Sequence, residues 1–320
     1  MTPWMITCQS GAAPTPERIA GIAGSARAWL AALLERIPAQ GDGAVRALCH
    51  VLLASWIADA MAGMGRAKSA GFAEIAQYVA CSLSAPENCN HVHGVKPTLK
   101  LLVAVLLSSE GLSVEPFRRF LTQSVSILRC ADPVLDADPS LMDKRILLHS
   151  AGLLPKPPTA SAEGMRLLLD TFRLSASTEA VDALTLQLEC LTGWGTQLID
   201  AELISPSLGA IVAGLAIHRF RNHDLIPAAR LLRLQEYIAA SRIVARRDDL
   251  YNILCMHHRT HGPFGWYGPE AVKLGTLSEV CADIELYLPT TLECLWTLAE
   301  RSLDGWRLFN KVPRYELPKT

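Results

Sequence analysis

The chain has 320 residues, of which 50% are hydrophobic and 19% are charged. A chain of this length and apolar content can bury a large core, which excludes disorder as its main state. Its 30 Lys and Arg residues and 31 Asp and Glu residues give a formal net charge of −1, which excludes a strongly basic nucleic-acid-binding domain. We therefore expect no nucleic-acid partner.

Apolar residues recur every three or four positions along most of the chain, and alternating β-branched runs are almost absent. This pattern predicts helices over 16–37, 43–64, 71–83, 96–109, 114–129, 141–150, 162–174, 177–192, 205–220, 226–245, 248–261 and 290–302. Short Gly, Pro, Ser and Asn turns separate them. The sequence thus predicts an all-α fold of antiparallel helical hairpins stacked into an α/α-toroid or a solenoid-like array.

The predicted domain organisation is a single all-α domain over residues 1–320. The stretch 153–161 contains three prolines in nine residues and resembles a linker. It would divide the domain into helical halves 1–152 and 162–320.

The sequence predicts a cytoplasmic location. Residues 1–11 contain no Lys or Arg ahead of an apolar stretch, as a secretory signal would. The most apolar windows, 101–107 and 208–217, are shorter than the roughly 20 residues that cross a bilayer, so we expect no membrane partner. Nine scattered cysteines are typical of reduced core residues.

Residues 255–300 carry most of the functional information. The loop from His261 to Glu270 combines three glycines and two prolines with the aromatic residues Phe264, Trp266 and Tyr267. Such a loop is stiff and shaped. Its aromatic residues predict either a packed plug between helices or the wall of a substrate pocket, and both hypotheses stay open.

This segment resembles the loop-then-helix unit of the α/α-toroid superfamily, which includes terpenoid cyclases and protein prenyltransferase β-subunits. The matching positions are Gly262, Phe264, Gly265, Asp283, Tyr287, Thr290, Thr291, Leu292, Leu295 and Leu298. His261 stands where the family has an aspartate. The resemblance implies stacked helical hairpins around a central apolar cavity, and a lyase, cyclase-like or transferase activity.

Two groups of histidines predict either a divalent metal site, with zinc the best match, or general acid–base chemistry. His257 and His261 would share one face if the helix over 248–261 continues to Gly262. Cys89, His91 and His93 would point to one side of an extended segment, and thiolate and imidazole suit zinc. Alternatively, these imidazoles act without metal, or interact with the carbonyls at a helix end.

Further candidates complete the predicted site. Asp283 would act with His257 and His261 as a catalytic group. Arg230 and Arg233 would bind an anionic part of a ligand, or would form a solvated face paired with Glu236, Asp248 and Asp249. No Walker-type or Rossmann glycine loop occurs, so no nucleotide cofactor is expected.

Two functions therefore compete. The first is a biosynthetic enzyme of the secondary-metabolite type that binds an apolar or aromatic substrate in a helical cavity. The second is a non-catalytic helical-repeat protein that binds a peptide or a partner protein. The sparse surface charge also favours a homodimer.

Overall fold

The structure is a computed structural model that describes residues 13–63, 70–130, 139–154, 178–200, 207–239, 247–265 and 279–315. The helices of these residues are α1 (Pro16–Leu34), α2 (Asp42–Gly63), α3 (Ala70–Ser84), α4 (Pro86–Cys89), α5 (Pro97–Ser109), α6 (Glu115–Cys130), α7 (Pro139–Ser150), α8 (Thr178–Leu191), α9 (Leu208–Arg221), α10 (Leu225–Tyr237), α11 (Arg247–Met256), α12 (Glu279–Ala282), α13 (Leu288–Ser302) and α14 (Leu308–Lys311). The predicted all-α character is confirmed.

The remaining regular segments are short. A 3₁₀ helix spans Asn90–Gly94, and a π-helical turn spans Asp283–Tyr287. Strands β1 (Ile199–Asp200) and β2 (Ile238–Ala239) pair in parallel, with Ile199 opposite Ile238. The predicted helix over 226–245 is wrong at residues 238 and 239, because α10 ends at Tyr237 and the chain becomes extended at β2, while residues 240–245 lie outside the described residues.

Helix α1 begins where its sequence predicts. Pro16 occupies a first-turn position, where the missing N–H costs little. The Thr15 hydroxyl accepts a hydrogen bond from the Arg18 backbone N–H at 3.3 Å and so caps the helix.

Helix α2 lies at the centre of the fold and packs against α1, α3, α5 and α13. Apolar side chains on every side of it are buried, as expected for a helix surrounded by others. By length and composition it could also cross a membrane, and 72% of the relevant stretch is buried inside the protein. Burial of this extent is what the core helix of a folded domain shows.

Helix α13 connects elements from both predicted halves, since it contacts α1 and α2 as well as α10. The buried apolar side chains of the described residues form one continuous cluster that includes all four helices. The two predicted halves thus share a core.

The start of the predicted linker belongs to the end of α7. Leu153 and Leu154 are buried, and the Leu153 N–H donates to the Leu148 carbonyl oxygen at 2.8 Å. Gly152 has φ +78°, which allows the turn. Residues 155–161 lie outside the described residues.

Candidate functional site

The predicted pairing of His257 with His261 on one helix face is wrong. Helix α11 ends at Met256, and the chain then folds into a tight hairpin in which His258 and Phe264 form an antiparallel bridge. The Arg259 N–H donates to the Pro263 carbonyl oxygen at 2.9 Å. In the hairpin, backbone N–H and C=O groups pair across the two arms. In a continued helix the same groups would have formed hydrogen bonds four residues apart.

The first two histidines of this hairpin are partly buried, while His261 is exposed. The ring of His257 stacks on Phe220, with the two planes 3° from parallel. His258 Nε2 lies 2.9 Å from the Ser25 hydroxyl. Burial lowers the pKa of both imidazoles, that of His257 to about 4 with a further contribution from His223. The two rings are therefore neutral packing groups at pH 7.

This environment predicts a loss of stability in acid. The folded pKa of His257 lies below the unfolded value of 6.5, so its contribution is present above pH 6.5 and is lost as the pH falls towards 4. In His257→Gln we expect the acid-dependent fall in the free energy of unfolding to shrink by about 3 kcal/mol. Urea titrations between pH 7 and 4 would measure it.

The matched control is His261→Gln, which removes an exposed imidazole from the same hairpin and should keep the wild-type pH profile. His50 remains in both variants, and burial also lowers its pKa to about 4, so part of the acid sensitivity stays. Parallel profiles for wild type and His257→Gln would contradict the prediction.

Phe264 is fully buried, and its N–H donates to the Thr291 hydroxyl at 2.9 Å. Gly262 precedes it with φ +110°, and a Cβ there would collide with the Ser25 carbonyl oxygen and lie 2.6 Å from the Trp29 Cβ. The hairpin is thus pressed against α1, and for Phe264 the packed-plug hypothesis replaces the pocket-wall hypothesis. Trp266 and Tyr267 lie outside the described residues.

Asp283 lies in the π-helical turn, where the Leu288 N–H donates to the Asp283 carbonyl oxygen five residues back. Its buried carboxylate accepts a hydrogen bond from Arg36 at 2.8 Å. Burial raises the pKa of Asp283, and Arg36 opposes the rise. The predicted grouping with His257 and His261 gives way to this ion pair.

A small cavity of about 110 Å³ does adjoin the predicted loop, between Gly265, Asp224 and the π-helical residues Glu285 and Tyr287. This volume suits a few water molecules and is far below the roughly 300 Å³ of typical ligand sites.

The predicted metal ligands are also held by other groups. Residues 90–94 form a 3₁₀ helix, so the expected extended segment is wrong. His91 Nδ1 lies 2.7 Å from an Asp42 carboxylate oxygen, and the carbonyl oxygen of His93 accepts a hydrogen bond from Lys100. Cys89 Sγ donates to carbonyl oxygens of α3 at 3.8 Å. Within the described ranges, no three His, Cys, Asp or Glu side chains are arranged to hold a metal ion.

Arg230 and Arg233 are structural, which corrects both predicted roles. The Arg233 side chain is fully buried and donates to Glu189 at 3.2 Å and to Glu293 at 2.9 Å. Its guanidinium lies 3.7 Å from the centre of the Trp296 ring. Arg230 also pairs with Glu189. The Arg233 guanidinium is thus closed to a ligand, and Glu236 and Asp248 pair instead with Arg247 and Arg301.

Another cavity lies away from these residues, and no pattern in the sequence predicted it. Its volume is about 610 Å³, within the 300–1,000 Å³ range of small-molecule sites. We call it the α7–α14 cavity. Its walls are the end of α7, the turn that follows α8, and α14 with the residues after it. The polar side chains of its lining are His149, Ser150, Thr196, Gln197, Asn310 and Arg314.

The α7–α14 cavity borders a cluster of packed aromatic side chains. Phe309 lines it and is buried against Trp194, with the ring centres 5.3 Å apart. Trp194 stacks in turn on Trp296, and the buried guanidinium of Arg233 lies over the Trp296 ring. The buried ion pairs of Arg233 are therefore linked to the cavity through three packed aromatic rings.

The turn after α8 has an unusual backbone. Gly193, Trp194 and Gly195 all have positive φ angles, of 53°, 56° and 80°. A Cβ at Gly195 would collide with the ring of Tyr237, which explains a glycine there. The motif Gly-Trp-Gly between two threonines was the available sequence signal, but glycine spacing alone does not reveal a cavity.

Comparisons with protein-family models, with curated proteins and with solved structures found no match for this chain.

Proposed function

We propose that this protein binds a small organic molecule in the α7–α14 cavity, and that the predicted small-molecule enzyme activity uses this site. The observation that carries the proposal is the cavity itself, whose volume is about 610 Å³ and whose described lining combines six polar side chains with the ring of Phe309. Ligand sites typically combine such a volume with a few convergent polar groups.

The polar lining changes the predicted substrate. The sequence predicted an apolar or aromatic molecule, whereas hydroxyl, amide, imidazole and guanidinium groups line this cavity. A ligand that covers these groups without pairing with them loses binding free energy, because it removes them from water. We therefore propose a polar organic molecule with one flat apolar part, which Phe309 can contact.

The competing function, binding of a peptide or partner protein, has less support. Only four large apolar side chains are exposed among the described residues, namely Tyr78, Ile127, Leu198 and Met256. A docking face is expected to be one contiguous apolar patch.

The predicted toroid or solenoid arrangement also remains a proposal. It is supported by the packing of α1 on α2 and of α9 on α10, as in successive hairpins, and by α13, which joins the two sets. The cytoplasmic location and the homodimer remain predictions.

Filling the cavity tests the proposed function. Asn310→Trp should weaken binding of small aromatic probes about tenfold or more, because the indole occupies the space that a ligand needs. The probes are neutral phenylacetamide and anionic phenylacetate, each titrated by ligand-observed NMR. Lys311→Trp is the matched control, since Lys311 is the exposed neighbour in α14 and does not line the cavity.

Equal binding to Asn310→Trp and Lys311→Trp would contradict the proposal, as would the absence of binding by both probes. Circular dichroism of the two variants would show that each keeps the helical fold.

A further inference from the structure

The charge pattern of the α7–α14 cavity leads to a more specific inference, which rests on the proposed function. We propose that the ligand is a small organic carboxylate whose single negative charge pairs with Arg314. Three features of the described residues support it: Arg314 has no carboxylate partner among them, none of them that lines the cavity is acidic, and the tautomer of His149 is fixed.

Arg314 differs from three other arginines in lacking a carboxylate partner among the described residues. Arg36, Arg233 and Arg301 are each paired with a carboxylate of the protein. Arg314 has no such partner among the residues that the structure describes, although its guanidinium can bind a carboxylate in a bidentate manner.

The backbone holds Arg314 in place at the cavity. The Tyr315 N–H donates to the Ala151 carbonyl oxygen at 2.9 Å, which ties the C-terminal segment to the end of α7. The stem of Arg314 passes over Gly152, where a Cβ would lie 3.9 Å from the Arg314 Cγ. The hydrogen bond of Tyr315 thus fixes the backbone beside Arg314. The Arg314 guanidinium remains available to a ligand at the cavity.

The described lining residues include Arg314 and no Asp or Glu, so together they contribute one permanent positive charge and no negative charge. A monoanion balances this charge, whereas a phosphate monoester would bring close to two negative charges. This charge balance favours a carboxylate.

His149 supplies the complementary group. Its Nδ1 lies 3.0 Å from the Leu154 carbonyl oxygen. Because a carbonyl oxygen only accepts hydrogen bonds, Nδ1 carries the proton, and in the neutral ring Nε2 is an acceptor. A hydroxyl group near the carboxylate would satisfy this acceptor. We therefore assign the cavity to a carboxylate of the hydroxy-acid type.

The test uses four probes of similar shape: phenylacetamide, phenylacetate, mandelate and phenyl phosphate. We expect phenylacetate to bind wild-type protein about tenfold more tightly than phenylacetamide, and mandelate to bind at least as tightly as phenylacetate. Arg314→Gln should abolish the preference for carboxylates, so that phenylacetate and phenylacetamide bind with similar affinity. Lys311→Gln removes a neighbouring surface charge and should have no effect.

The outcomes separate the two proposals. Equal binding of phenylacetate and phenylacetamide, unchanged in Arg314→Gln but lost in Asn310→Trp, would overturn the carboxylate assignment and keep the proposed function. Tightest binding of phenyl phosphate, or weaker binding of mandelate than of phenylacetate, would also overturn it. If Asn310→Trp affects no probe, both proposals fail together.

Discussion

Replacing Arg233 with methionine is expected to lower the free energy of unfolding by about 3–5 kcal/mol. The change leaves the fully buried carboxylate of Glu189 without one of its two cationic partners and Glu293 without its partner. It also removes the cation that lies 3.7 Å from the Trp296 ring. Urea unfolding followed by circular dichroism would measure the loss.

Arg46→Met is the matched control, because it breaks an ion pair of similar length at the surface. Arg46 and Glu285 are 2.8 Å apart, and the side chain of each is 47% exposed. Water screens such a pair, so we expect a change within about 1 kcal/mol. If the two variants lose the same stability, the buried network is not a major source of stability.

Gly262→Ala is the second substitution for which we expect a large effect, a loss of about 3 kcal/mol or more. The left-handed backbone at φ +110° costs roughly 1–3 kcal/mol for a residue with a side chain. The added Cβ also collides with the Ser25 carbonyl oxygen and with Trp29, which adds the cost of displacing α1. Thermal and urea unfolding would report the sum.

Gly41→Ala separates the two contributions. Gly41 has φ +113°, close to that of Gly262, but a Cβ there would have no atom within 4 Å. We expect Gly41→Ala to show the backbone cost alone, and the difference between the variants to measure how tightly the hairpin presses on α1. Equal losses would mean that α1 yields without cost.

Helices could be predicted from the sequence because their signals are local. Pro16 and the Thr15 cap mark the start of α1. The regular spacing of apolar residues in α2 indicates a helix, and those residues are buried in the structure. The end of α11 could not be predicted in this way. His257 to Phe264 form a hairpin because Gly262 meets α1, a contact with residues more than 230 positions earlier.

The functional residues were harder to predict for the same reason. Arg233 and the histidines have the right chemistry for a site, but sequence spacing does not show which carboxylates or rings occupy their surroundings. Glu189 pairs with Arg233 from a separate helix. Conversely, Arg314 and His149 have no motif in common, and only the fold brings α7 and the C-terminal segment to the same cavity.

The packing of α13 on α2 has a consequence for synthesis of the protein. The two helices are far apart in the sequence, so α2 leaves the ribosome long before α13 exists. Contacts between such distant segments form slowly, and apolar segments that wait for them are prone to aggregate. Among the described residues, α2 is the one helix long and apolar enough to cross a membrane, and it therefore depends on early neighbours such as α1 and α3, or on a chaperone, until α13 has been translated.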